Sequence, residues 1–309
     1  MSERSLYEEV YTRSAECVDL EPVPGDFMIK KTGMDIIRRF TGIGGHAYGL
    51  EVGCGSGFNT ALLAGLGSSI VATDLPYYDA ATHSLGIKVA RNTVARLGTG
   101  NVEILSCSGE ALPFPDNTFD FVFSSSVLEH INNKEKALKE MLRVCKPGGD
   151  VVFVVPTFVQ SICAFVHLYI YIVRRAFDVI YVKLIKKGGA ENKTLLPMAD
   201  DSTRSGPAII GSFRKNHPSF PLPEPHGAYR NIFDEFANQL PWSWPGLARR
   251  CGARSIDTFA FLFLPFNILE VFSTKWIARL YSATKQLYYI LGKSFLKHLS
   301  YSLCVIAKK

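Results

Sequence analysis

The segment Leu50-Glu-Val-Gly-Cys-Gly-Ser-Gly-Phe-Asn-Thr60 decides the fold. The apolar run Tyr48–Val52 before it reads as a strand, the residues from Gly57 to Leu66 as a helix, and three glycines fill the junction. Glycine takes backbone angles closed to other residues and lets a ligand approach the main chain without meeting a Cβ. The first turn of the helix then offers outward N–H groups. Such a strand–loop–helix unit puts a nucleotide-like ligand at the carboxyl ends of parallel strands. Dinucleotide loops read G-x-G-x-x-G. Here the glycines are Gly53, Gly55 and Gly57 behind the acid Glu51, and Phe58 stands where the dinucleotide pattern needs its third glycine. The next strand, Ile70-Val-Ala-Thr-Asp74, ends in a carboxylate placed to accept two hydrogen bonds from ribose hydroxyls. The plainer alternative for Asp74 is a turn or helix cap.

Outward from this loop, short β-rich apolar runs alternate with helical stretches. Strands are expected at Val102–Ser106, Phe119–Ser124 and Asp150–Val155, with helices over His83–Leu97 and Lys134–Val144. The alternation predicts an α/β fold with a doubly wound, mostly parallel sheet covered on both faces. After Pro156 the regularity breaks, and two more strands follow at Arg254–Leu264 and Leu299–Ala307, with a helical stretch around 230–251. The expected division is an arm and helix over 1–47, a ligand-binding core over 48–157, an apolar helix and Pro/Gly-rich lid over 158–228, a return to the core over 229–265, a basic amphipathic helical insertion over 266–298, and a last strand over 299–309.

The composition limits the function classes. Of 309 residues 47% are hydrophobic, most of the aromatic ones lie after residue 157, and the net charge is +6. Seven cysteines stand apart, with no C-x-x-C pair and no Cys/His cluster at metal spacing, so neither a disulfide framework nor a metal site is expected. The acidic N-terminus is no secretory signal, and the chain reads as cytoplasmic-side. There is no dense basic patch interleaved with aromatics, so no nucleic-acid partner is expected.

Three stretches resemble class I S-adenosylmethionine-dependent methyltransferases of the group that includes the quinone C-methyltransferases. They are Glu51–Gly57; Gly109-Glu-Ala-Leu-Pro-Phe-Pro-Asp-Asn-Thr-Phe-Asp120 running into Phe121-Val-Phe-Ser-Ser-Ser-Val-Leu-Glu-His130; and Met141-Leu-Arg-Val-Cys-Lys-Pro-Gly-Gly149. The resemblance implies a Rossmann-like seven-stranded sheet with the last strand antiparallel, and S-adenosyl-L-methionine as cofactor. It implies that Gly53, Gly55 and Gly57 pass under the amino-acid part of the cofactor, supported by Glu51. Asp74 would hold the ribose and Leu75 flank the adenine. Gly109 and Glu110 would form the adenine-side loop, and Ser124 would face the methionine. Ser108 stands where the family often has an Asp that accepts from the adenine amino group, which predicts a weaker or water-mediated contact there.

The acceptor side is less determined. An oxygen acceptor needs its proton removed, and histidine is the usual base. His130 and Glu129 follow the fourth strand, with helix-start and packing roles as the alternative to catalysis. His226, in Pro225-His-Gly-Ala-Tyr-Arg230, sits where the chain returns to the sheet, as a substrate-side residue or a loop hydrogen bond, with Tyr229 and Arg230 beside it.

Phe158–Val173 runs sixteen residues without a charge, shorter than the roughly 20 of a spanning helix. One crossing would also put sheet strands on opposite sides of a bilayer. Residues 158–187 carry five Lys/Arg against one Asp, and 266–298 five against one Glu with Leu269, Phe272, Trp276 and Leu280 at helical spacing. Basic amphipathic helices suit an anionic membrane surface. A cap over the pocket and a dimer interface are the alternatives. The expected activity is methyl transfer to a hydrophobic or lipid-linked small molecule, peripheral on the membrane. Soluble O- or C-methylation and a non-catalytic cofactor-binding scaffold are the other readings.

Overall fold

The computed structural model describes residues 31, 33–35, 37–39, 41, 43–76, 87–98, 101–187, 222–223, 225–262 and 293–309. The expected N-terminal arm, most of the 188–228 lid and the 266–292 part of the basic insertion lie outside them. Seven strands are present: β1 (Tyr48–Val52), β2 (Ser69–Asp74), β3 (Val102–Ser106), β4 (Phe119–Ser125), β5 (Cys145–Pro156), β6 (Ser255–Leu262) and β7 (Ser302–Lys308). Between them run helices α1 (Phe58–Gly65), α2 (Ile87–Leu97), α3 (Lys134–Val144), α4 (Phe158–Lys187), α5 (Ile232–Asn238) and α6 (Ser243–Arg250).

The sheet order is β3-β2-β1-β4-β5-β7-β6. Strands β1 to β5 pair in parallel, and β7 enters antiparallel between β5 and β6. The order reverses at β1, so the loops after β1 and β4 open side by side, where ligands of such sheets bind. This is the doubly wound, seven-stranded arrangement with an antiparallel last strand that the sequence predicts.

Alternate residues of each central strand go to opposite faces. Phe121, Phe123, Val152 and Val154 pack on one side with Leu63 of α1 and Ala90 of α2. Val122, Val151, Phe153 and Val155 pack on the other with Leu138 and Met141 of α3 and Trp244 of α6. Both layers exclude water, which is why Phe121–Phe123 of β4 and Val151–Val155 of β5 read as unbroken apolar runs. Truncating fully buried Phe153 to Ala would cost about 3–5 kcal/mol.

Arg143 of α3 explains why two distant sequence stretches occur together. Its guanidinium donates to the carbonyls of Leu112 (3.0 Å) and Phe114 (2.8 Å) and to Asp116 (2.8 Å) and Glu140. It thereby clamps the Leu-Pro-Phe-Pro-Asp loop onto the helix before β5. The helix itself starts at an Asn133 cap, whose side chain accepts from the Lys136 N–H at 3.0 Å.

Two boundaries differ from the sequence expectation. The helical stretch at 230–251 is two helices, broken at Pro241, which cannot donate to a continuing helix. The last strand begins at Ser302, after a 3-10 turn at Phe295–Leu299. The apolar segment 158–187 is one helix, α4. Its start is fixed to the core: the Phe158 N–H donates to the Gln239 carbonyl at 2.9 Å, and the Trp244 indole donates to Pro156 O at 3.2 Å.

Candidate functional site

The Glu51–Gly57 loop is held from behind. The Glu51 carboxylate is buried and accepts from the Thr60 hydroxyl on α1, while Thr73 of β2 donates to the Glu51 carbonyl at 3.1 Å. The N–H groups of Gly53 and Cys54 both donate to Thr73 O, at 2.8 and 2.9 Å. Glu51 thus supports the loop and does not face its open side. Burial pushes the Cys54 thiol up, so the cysteine within the loop stays neutral.

Gly53 and Gly57 are required by space as well as by their φ values of +76° and +79°. A Cβ on Gly53 would fall 2.3 Å from Val127, and one on Gly57 would fall 2.9 Å from the Ala90 backbone of α2. At Gly55 nothing lies within 4 Å. The loop is therefore closed on its flanks and open at its centre. Asp74 borders that opening. Its carboxylate accepts from the Gly55 N–H at 2.6 Å and the Leu75 N–H at 2.7 Å, one on each oxygen. A carboxylate oxygen accepts more than one hydrogen bond, so this group is of the kind that takes ligand hydroxyls. A cofactor with a ribose and a main-chain-like end fits this cradle.

Across the opening, Gly109 packs between Val52 and Ile131, either of which a Cβ would approach within 3.2 Å. The Ser108 hydroxyl accepts from the Glu110 N–H at 3.2 Å, and the Glu110 carboxylate accepts from the Asn133 N–H at 3.1 Å. Both expected adenine-side residues are thus already tied into one loop. Ser124 is buried and donates to Val52 O at 3.0 Å. It joins β4 to the base of the glycine loop.

Beyond β4 the chain turns sharply. Ser126 has φ +56°, uncommon for a residue with a Cβ and often found at functional sites. The turn throws Val127 over Gly53 and leads into a 3-10 turn, Leu128–His130. Here the structure brings together Glu129, His130 and His226. The two imidazole centroids are 4.8 Å apart with the rings at 79°. Glu129 is 1% exposed, and burial raises its carboxyl to about 8.

The return of His226 to this place depends on residues the sequence reading did not single out. The His226 N–H donates to Glu235 of α5 at 2.7 Å, and Glu235 in turn accepts from Ser161 of α4 and Gln239. Burial raises the Glu235 carboxyl. Gly227, at φ +104°, passes against the Glu129 carbonyl, and the Ala228 N–H donates to it at 2.8 Å. Lys134 donates to the carbonyls of Ile131 (3.0 Å) and Ala228 (3.2 Å) and lies 4.5 Å from the Tyr229 ring centre. Desolvation lowers its pKa, against the pull of Glu129. Arg230 is exposed and pairs with Asp234 at 3.4 Å. The local signal for Glu235 was present: Asn231-x-x-Asp234 is a helix cap, with the Asn231 side chain accepting from the Asp234 N–H.

Parts of this chain are similar to known proteins. Residues 50–153 match the family model described as a methyltransferase domain. The ubiquinone/menaquinone biosynthesis C-methyltransferase UbiE of Cronobacter sakazakii is 48% identical over 67 residues, which are 21% of this chain and 27% of that protein. The UbiE of an Enterobacter species is 50% identical over the same share. The match spans only about a quarter of the length of these curated relatives. Among solved structures, phosphoethanolamine N-methyltransferase 2 of Haemonchus contortus is 15% identical with a TM-score of 0.48, covering 90% of this chain and 52% of that one. A SAM-dependent methyltransferase from Aquifex aeolicus is 24% identical with a TM-score of 0.39, covering 48% and 73%. Residues 50–153, which contain the glycine loop and Asp74, thus match a methyltransferase domain of the class I S-adenosylmethionine-dependent kind.

Proposed function

We propose that this domain methylates a hydrophobic small molecule, lipid-linked or lipid-like, at a membrane surface. In this reading residues 158–228 and 266–298 are insertions on a core formed by 48–157, 229–265 and 299–309. The observation that carries it is the outer face of α4. Ile162, Val166, Tyr169, Ile170, Val173 and Phe177 recur at helical spacing, and all are exposed, Phe177 by 67%. The helix that carries this stripe follows the carboxyl end of β5, two strands from β1 in the sheet. Contiguous exposed apolar surface of this kind marks an interaction site. Among the described residues no helix is long and apolar enough to cross a membrane, so the stripe would lie along a lipid surface.

When bound, S-adenosylmethionine supplies a methyl group already activated on a sulfonium, so the protein's work is alignment and water exclusion. The Gly53–Gly57 backbone would take its amino-acid end and the Asp74 carboxylate its ribose hydroxyls. Leu75, Ser108, Gly109 and Glu110 would edge the adenine. Ser124, its proton committed to Val52, would shape the floor. The acceptor's reactive atom would come to Glu129, His130 and His226. With nothing else bound there, His130 and His226 are the groups able to take a proton from an acceptor.

The test is methyl transfer from labelled S-adenosylmethionine in the presence of a total lipid extract. Label recovered in the organic phase supports the reading. Label transferred only to water-soluble molecules would overturn the hydrophobic acceptor and leave the exposed stripe as an interface between copies.

A further inference from the structure

We infer that Glu129, His130 and His226 hold a divalent transition-metal ion beside the cofactor loop. The inference rests on the reading of this domain as a methyltransferase and narrows its acceptor to an oxygen nucleophile. Each of the three residues offers one ligand atom, and these atoms all lie within 4.8 Å of one another. Ligands about 2.0–2.2 Å from a metal stand roughly 3–3.5 Å apart, so the cluster is slightly open. Rotation of His226, whose side chain is exposed while its backbone is anchored on Glu235, covers the difference.

A second observation points to a ligand. The Glu129 side chain is 1% exposed, and its Oε2 has no hydrogen-bond partner among the described residues. A buried polar atom left unsatisfied costs about 1–3 kcal/mol, and such costs persist where function uses the group. The surroundings fix the other ligands. Val127 on Gly53 and Ile131 against Gly109 pin the turn carrying Glu129 and His130 from both sides. Gly227 and Ala228 fasten the His226 loop to the Glu129 carbonyl.

Two imidazoles and one carboxylate suit Zn²⁺, Co²⁺, Fe²⁺ or Mn²⁺, whereas Mg²⁺ and Ca²⁺ prefer oxygen alone. Three protein ligands leave a position open, as catalytic sites do. An acceptor hydroxyl placed there would lose its proton to solvent more readily. Its oxygen lone pair would form the new O–CH₃ bond as the S–CH₃ bond breaks, with the pair of the broken bond remaining on sulfur.

The experiment uses the full, untagged chain dialysed against a chelator. It is titrated with Zn²⁺ by calorimetry and with Co²⁺ by visible absorption, with S-adenosylmethionine titrated separately. The expected result is one saturable site per chain with the absorption of nitrogen- and oxygen-bound Co²⁺. Glu129→Gln and His226→Ala should each weaken it more than about tenfold. Because Glu129 is buried, the His226→Ala comparison decides if Glu129→Gln melts early. Absent Zn²⁺ binding, or binding equally tight in His226→Ala, overturns the metal site even when S-adenosylmethionine binds normally. Failure of S-adenosylmethionine to bind tells against the methyltransferase reading and is scored on its own isotherm.

Discussion

Gly227 stands against the main chain of Glu129: a Cβ on it would lie 2.5 Å from the Glu129 carbonyl oxygen, and the next residue, Ala228, donates its N–H to that oxygen at 2.8 Å. This contact joins the loop after the long insertion to the turn after β4. It puts His226 and His130 face to edge, at the turn whose Val127 packs over Gly53. Gly227→Ala meets both this clash and a φ of +104°. It should cost about 1–3 kcal/mol of strain and slow methyl transfer, while S-adenosylmethionine affinity holds. Thermal melts and cofactor titrations on the same variant check it.

The glycine loop predicts a separation between two neighbouring substitutions. Gly57→Ala pushes a Cβ to 2.9 Å from the Ala90 backbone and should destabilise the fold by about 1–3 kcal/mol. Gly55→Ala meets no protein atom within 4 Å and carries only the strain of φ +51°, about 1–2 kcal/mol. Its methyl nevertheless enters the open centre of the loop, where the proposed cofactor site lies. Melting temperature should fall more for Gly57→Ala, and cofactor affinity more for Gly55→Ala.

Glu129 makes stability depend on pH in a stated direction. Burial raises its folded carboxyl from 4.5 to about 8, so the folded state holds a proton that the unfolded chain releases. The stabilisation is complete below about 4.5 and is lost as pH rises through about 8. Between those values unfolding free energy should fall by up to about 1.4 kcal/mol per pH unit. Denaturant melts in chelator across this window should show the slope, and Glu129→Gln should remove it.

The exposed stripe on α4 predicts membrane association without a structural cost. Ile170 and Val173 are 60% and 54% exposed, so replacing each with Glu should change stability by no more than about 0.5 kcal/mol per site. The double variant should stay with the soluble fraction in flotation with anionic vesicles, where the wild-type chain floats. Equal flotation of the two would remove the stripe from the account.

What the sequence disclosed was local. The glycine loop, Asp74 and the strand alternation are contiguous signals for a doubly wound, mostly parallel sheet, and the three stretches with their family resemblance implied its antiparallel last strand and the cofactor class. Arg143 shows how far such signals reach: its stretch and the Leu112–Asp116 loop were both visible, but the bonds between them were not. The acceptor side depended on long-range contacts. His226 meets Glu129 only because Gly227 packs on its carbonyl and Glu235 holds the His226 backbone, and no periodicity encodes either contact. A metal site was not expected, because the three side chains are not at ligand spacing along the chain. The exposed pairing of Arg230 with Asp234, in the first turn of α5, was likewise not legible in the sequence.

Titration of the purified chain with S-adenosylmethionine by calorimetry, alongside Asp74→Ala, tests the central claim most directly. One-to-one binding in the wild type, weakened at least about tenfold when the carboxylate facing Gly55 is removed, is the predicted result; a hydrogen bond to a charged group is worth about 1.5–3 kcal/mol. No binding heat in the wild type, or identical isotherms for the two proteins, would contradict it.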